Sequence, residues 1–177
     1  KDMNGDGFID GADQWRIGKN SFPRGNYGIY ANLSYKGFSA NILFQGATSR
    51  DMYIEDVVRG QSTGGYTMVY PYQLDYWMPD NTNAKFPRIA MNSSVNGNNN
   101  YVTSDFWLVN GRYIRLKSLQ LGYDFRSVLL KNIKWLYKCQ VVLSGQNLFT
   151  ISPATKYGFD PENGSTNNYD YPMQRVY

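Results

Sequence analysis

Phe106-Trp107-Leu108-Val109-Asn110-Gly111-Arg112-Tyr113-Ile114-Arg115-Leu116-Lys117-Ser118-Leu119-Gln120-Leu121-Gly122-Tyr123 is the stretch on which the fold is read. It is longer than an ordinary strand of ~5–6 residues. It is too regular to be a loop. Leu119, Leu121 and Tyr123 alternate with Ser118, Gln120 and Gly122. Ile114 and Leu116 fall on the opposite parity, so a bulge or twist is expected near Lys117. A long strand, apolar on one face and polar on the other, suits the wall of a membrane β-barrel. A long edge strand of a soluble sandwich fits this segment equally well.

The same pattern recurs upstream. Tyr27, Ile29, Ala31, Leu33 and Tyr35 share one face, against Gly28, Tyr30, Asn32 and Ser34. After a tight turn at Lys36-Gly37, Phe38, Ala40, Ile42 and Phe44 share a face, against Ser39, Asn41, Leu43 and Gln45. Strict alternation around a two-residue connection reads as a hairpin. Amides on the polar face would need partners in a dry core, whereas a wet lumen supplies water. A fourth strand is expected over 137–147. A short helix is expected from Ser127, as N-cap, to Ile133. Another is expected over 72–77, stopped by Pro79. The connections 48–105 and 152–170 are long and polar, and 92–100 is Asn-rich and reads as flexible. Long and short connections alternate, as they do in outer-membrane barrels.

Composition narrows the classes. The chain has 177 residues, enough for one domain with a sizeable core. Only 42% of them are hydrophobic, while 16 are Tyr and 17 are Gly. Mean hydropathy is −0.53. Plentiful Tyr and Gly with few helix formers favour an all-β fold. No apolar run approaches the ~20 residues of a membrane helix, which leaves barrel strands open. There is no His, so the commonest general base is missing. A single cysteine, Cys139, cannot form an internal disulfide. The net charge is +4, and Lys and Arg are spread along the chain rather than clustered on one predicted face, so nucleic-acid binding is not expected.

One segment carries a chemical motif. Asp2, Asn4 and Asp6 occupy positions 1, 3 and 5 of a calcium-loop spacing, with Gly7 at the sharp turn. Phe8 would offer its carbonyl, Asp10 stands at position 9 and Asp13 closes the loop. These hard oxygen donors suit Ca²⁺, or Mg²⁺ given the shorter closing Asp. The competing reading is a solvated Asp/Asn/Gly turn. With no second copy, a structural staple is expected rather than a switch.

In order and spacing, these residues resemble the C-terminal part of the SusC/RagA family of TonB-linked outer-membrane proteins. The resemblance is carried by the acidic loop, Tyr35-Lys36-Gly37-Phe38, Phe44-Gln45-Gly46 and Tyr76-Trp77-Met78-Pro79-Asp80-Asn81. It continues through Phe86-Pro87-Arg88, the opening run, Ser144-Gly145-Gln146-Asn147-Leu148-Phe149-Thr150, Phe159-Asp160-Pro161-Glu162 and Tyr171-Pro172. It covers nearly the whole chain. It implies antiparallel strands from the C-terminal part of a large transmembrane β-barrel of about 22 strands, with long extracellular loops. It further implies outer-membrane localisation, import of glycans or peptides, a SusD-like surface lipoprotein as lid and energy from TonB. The plug, and the closing strand after Tyr171-Pro172, are expected to lie outside 1–177. The acidic loop and both long connections become extracellular, and the Lys36-Gly37 turn and 124–136 periplasmic.

On this reading the protein is not an enzyme. Substrate contact is expected from loop aromatics, with Tyr70, Tyr72, Tyr76, Trp77 and Trp107 as candidates, although each could equally be loop packing. Ile29, Leu33, Ile42 and Leu121 are expected to face lipid. Two other classes compete with this reading. A calcium-dependent carbohydrate-binding β-sandwich would need more strands. A glycoside hydrolase would need Asp160 and Glu162 to be a spatial acid/base pair, which closeness in sequence does not establish.

Overall fold

The computed structural model describes residues 2–8, 10–55, 69–89, 100, 102–164, 166 and 173–177. Four long strands form one antiparallel sheet in the order β1 (Gly25–Tyr35), β2 (Phe38–Thr48), β5 (Tyr113–Asp124), β6 (Gln140–Ile151). Between β2 and β5 lies a two-stranded ribbon, β3 (Asp51–Tyr53) with β4 (Leu108–Asn110). Strands β1 and β2 have 11 residues each, β5 and β6 have 12. A tilted strand needs about 9–11 residues to cross the hydrocarbon of a bilayer.

The bulge falls where the parity conflict placed it. Leu43 pairs with Ser118 and Phe44 with Leu116, so Lys117 has no partner on β2. The extra residue keeps Ile114, Leu116, Leu119, Leu121 and Tyr123 on one face despite their broken alternation. Asn147, with φ 53°, takes up the matching irregularity on β6, between Gln146↔Ser118 and Phe149↔Leu116. A short polar side chain tolerates that left-handed backbone better than most.

The opening run is not one strand. It divides at Gly111-Arg112: Asp105–Trp107 is a 3₁₀ turn, β4 pairs with β3, and β5 joins the main sheet. Gly111 donates its amide to the Arg50 carbonyl at 2.9 Å, and a Cβ there would stand 2.8 Å from Met52 Cγ. That close crossing turns the chain from ribbon to sheet.

Both expected helices are corrected. The segment over 72–77 is a 3₁₀ turn, Pro71–Leu74. It ends before Pro79 because the Asp75 carbonyl accepts from Phe86 N instead of extending a helix. The second is a single turn, α1 (Phe125–Val128), capped by Asp124, whose carboxylate accepts from Arg126 N and Ser127 N. Ser127 lies inside that turn, so it is not the N-cap. The fourth strand begins and ends later than 137–147. The connection 48–105 is not structureless, since it holds β3 and the turn at 71–74. Residues 92–99 and Tyr171-Pro172 lie outside the described residues.

Burial is distributed unusually. Met52, Ile54, Phe86, Trp107, Val109, Ala154 and Phe159 form the buried cluster, and all of them lie outside the four-stranded sheet. The apolar sheet face stays open: Ile29 is 56% exposed, Leu33 60% and Leu143 68%. No helix among the described residues is long and apolar enough to cross a membrane, which says nothing about strands.

Candidate functional site

Every long connection leaves the same end of the sheet. There the chain builds a small body of its own around the ribbon β3–β4. Trp107, 1% exposed, is its centre. Its indole stands 4.9 Å from the Phe106 ring and 6.4 Å from that of Phe86, and its Nε1 donates to the Asn100 carbonyl at 3.2 Å. Tyr72 is half-buried among Tyr70, Phe86, Tyr157 and Phe159, at ring distances of 5.4–6.0 Å. Burial, reinforced by Tyr70 and Tyr157, pushes the Tyr72 hydroxyl above the usual phenol range. Trp107, a substrate-contact candidate from the sequence, is buried here as a packing residue. Tyr72 packs in the same cluster, with Tyr70 at its edge.

Trp77 is placed differently. It is 40% exposed and lines an open cavity of about 740 Å³ with Lys85, Phe86, Arg88, Asn100 and Phe106. Its backbone is fixed by the bond from Trp77 N to the Phe86 carbonyl, 2.9 Å, beside the Tyr76↔Phe86 bridge. Tyr76 is half-buried. Lys85 is held over the rings of Phe86 and Tyr157 at 5.3 and 4.9 Å, and Nζ donates to the Tyr157 hydroxyl at 2.7 Å. Such a cavity offers ring faces for stacking and polar groups for hydroxyls or amides.

A polar clamp ties the body to the sheet. Arg115 on β5 is 3% exposed. It pairs with Asp160 at 2.7 Å and with Glu162 at 2.9 Å, and Lys117 reaches the same Glu162 oxygen at 2.8 Å. Arg50 donates to the carbonyls of Pro161 and Asn163. Each of these carboxylates is therefore held by cations from the sheet, which is the arrangement of a clamp and not of an acid/base pair.

The acidic loop folds on its own amides. Asp2 accepts from Gly5 N at 2.6 Å and from Gly7 N at 2.9 Å. Asp13 accepts from Met3 N at 2.6 Å and Asp10 N at 2.9 Å. Asp6 accepts from Phe8 N, Asp10 from Ala12 N, and Asn4 from Asp6 N. Amide donors, Gly7 first for Asp2 and Met3 first for Asp13, hold both carboxyls below their ordinary value. Gly5 and Gly7 supply the left-handed turns, φ 80° and 85°. The hard-oxygen donor set suits a cation. Among the described residues, however, no group of three or more Asp, Glu, His or Cys side chains is gathered as a metal site.

Comparison with known proteins gives a consistent answer. The chain is 32% identical over 165 residues to TonB-dependent receptor P3 of Formosa agariphila, covering 91% of this chain and 15% of that receptor. It is 27% identical over 166 residues to TonB-dependent receptor SusC of Bacteroides thetaiotaomicron, again 91% of this chain and 15% of SusC. The sheet and loops superpose on the RagAB peptide importer in its open-open state with a TM-score of 0.58 and 26% identity, over 85% of this chain and 16% of that one. The chain is thus similar to part of the TonB-dependent receptors, SusC and the RagAB importer among them. Against the closed-closed state of the same importer the TM-score is 0.63 at 22% identity, over 96% of this chain and 19% of that one, a likeness of fold. No family model matches. The chain spans 15–16% of the length of the curated relatives it matches.

By that likeness of fold, the four strands are a stretch of a large antiparallel β-barrel wall, and the ribbon body stands at one rim. Of the sequence candidates Trp77 lines this cavity, whereas Lys85, Phe106 and both clamping arginines were not singled out by the sequence. Arg115 gave one usable signal, a guanidinium on the polar face two residues from Lys117. Its acidic partners lie over forty residues away, so spacing could not pair them.

Proposed function

We propose that this chain supplies wall strands and outer loops to a TonB-dependent outer-membrane importer that takes up oligosaccharides, or peptides, with a SusD-like surface lipoprotein. The observation that carries the proposal is the sheet itself. One face is apolar across all four strands and open; the other carries Asn32, Asn41, Gln45, Gln120 and Ser144. Lipid suits the first face and a water-filled lumen the second. The relatives are named as receptors and importers, which accords with binding and gated passage rather than bond making. The ribbon body then stands on the extracellular side, with Trp77 in the cavity as the aromatic to which a substrate would bind. Tyr76 lies beside it.

The test is isolation of the protein from its native outer membrane in detergent, with intact mass, co-purifying partners and uptake assays. A long parent chain, a bound surface lipoprotein and TonB-dependent uptake of oligosaccharide or peptide are expected. A water-soluble, monodisperse 20.3 kDa species that stays folded without detergent would overturn the reading.

The acidic loop is proposed as a cation staple, with Asp2, Asn4, Asp6, the Phe8 carbonyl, Asp10 and Asp13 as donors to Ca²⁺ or Mg²⁺. The bond from Gly7 N to Asp2, which draws the turn residue back toward the first ligand, favours this reading. Calorimetric titration of the purified receptor with each ion, against Asp2→Asn with Asp13→Asn, tests it. No heat difference between the two proteins would remove the staple.

A further inference from the structure

Lys and Arg occur along the whole chain, but their excess over Asp and Glu falls in one segment. Residues 125–139 hold Arg126, Lys131, Lys134 and Lys138 and no acidic residue. The remainder is balanced, fourteen cations against fourteen carboxylates, so this one connection carries the whole net charge of +4. It lies at the short-turn end of the sheet, where Lys36 also sits over the Tyr35 ring.

Arg126 shapes the connection. Its Nε donates to the Leu136 carbonyl at 2.6 Å and its Nη1 to that of Leu130 at 3.0 Å. Phe125 N returns to the Cys139 carbonyl at 2.9 Å, closing the base. The three lysines are left on the surface, and no ion pair among the described residues holds them. Between them stand Trp135, 84% exposed, and Tyr137, 97% exposed. Next to the connection, on the apolar face, the Tyr123 ring packs against Phe38, tilted, at 4.4 Å and against Phe125, edge to face, at 4.7 Å. Aromatic rings at the end of an apolar wall mark the depth of the headgroups.

We propose that residues 125–139 form a docking surface for anionic phospholipid headgroups in the leaflet at the short-turn end of the barrel. Lys131, Lys134 and Lys138 meet the phosphates, and Trp135 and Tyr137 seat at the interface. Charge complementarity selects this occupant: a basic segment beside a bilayer gains attraction from each lysine that reaches an anionic surface, and exposed Trp and Tyr rings suit the headgroup layer more than bulk water. This rests on the membrane-wall reading of the sheet.

The experiment uses the full-length receptor in nanodiscs of phosphatidylcholine alone or with 30 mol% phosphatidylglycerol, that fraction being about one lipid in three. Retained lipids are counted by native mass spectrometry after detergent transfer. About tenfold enrichment of phosphatidylglycerol over phosphatidylcholine is expected, falling to near parity in Lys131→Gln/Lys134→Gln/Lys138→Gln and kept in the triple Arg variant. Trp135→Phe should remove a blue-shifted emission component seen with phosphatidylglycerol. Equal retention of both lipids by the wild type, or unchanged enrichment in the Gln variant, overturns the surface while leaving the barrel reading standing. A receptor that does not insert at all, judged by heat-modifiable gel mobility, overturns both.

Discussion

The ribbon body and the four-stranded sheet both carry large apolar side chains and treat them in opposite ways. The body buries Trp107, Phe86, Ile54 and Phe159 against one another. The sheet leaves Ile29, Leu33, Leu121 and Leu143 open along one face. Apolar area leaves water wherever it can, at roughly 25 cal/mol per Å². A chain able to cover one set and leaving the other bare is built for two solvents. The body folds as a water-facing unit does; the sheet waits for lipid on one side and water on the other.

The sharpest way to break this comparison is to attack the body alone. Trp107→Ala should cost about 3–5 kcal/mol of local stability, by removing the largest buried side chain of the cluster. Limited proteolysis of the full receptor should then cut the loops sooner while the barrel keeps its heat-modifiable mobility. Loss of the barrel as well would mean that the two regions are one cooperative unit.

Arg115→Met examines their junction. It leaves Asp160 and Glu162 with only Lys117 as cation, and breaking a buried pair by removing one partner costs about 3–5 kcal/mol. Hydrogen exchange should rise over 152–164 and stay unchanged in β1. A neutral result would show that the clamp follows the loop's position instead of setting it.

The sheet face is examined by Ile29→Lys or Leu33→Lys, with a cost of roughly 2–4 kcal/mol near mid-bilayer in urea unfolding from vesicles. Asn32→Lys, on the opposite face of β1, should cost far less. Equal costs would erase the distinction between the faces.

The smallest effect is expected at the acidic loop. Its amide bonds lower the folded pKa of Asp2 and Asp13 below the ordinary 3.8. The stabilisation is therefore fully present above about 3.8 and is lost as pH falls through the lower folded values. Carboxyl NMR titration of these two residues should show midpoints below those of a denatured reference. Coincident midpoints would mean that the loop is not held by these bonds in solution.

Much of this was legible beforehand, for a physical reason. Strand faces follow a period of two, so the hairpin at Lys36-Gly37 and the sidedness of Ile29 and Leu33 could be read directly. The bulge at Lys117 was legible because broken parity has few other solutions. Helix caps were less so. Asp124 and Ser127 are both good cap residues, and only backbone geometry separates them.

The sequence by itself determined the all-β wall, its two faces and its resemblance to TonB-dependent receptors, because alternation is local and chain order preserves motif spacing. Tertiary structure alone decided that Trp107 is core while Trp77 lines a cavity, that Gly111 splits the opening run, and that Arg115 grips Asp160 and Glu162. Those outcomes depend on which distant segments meet at the rim, and contact between distant segments leaves no period in a sequence.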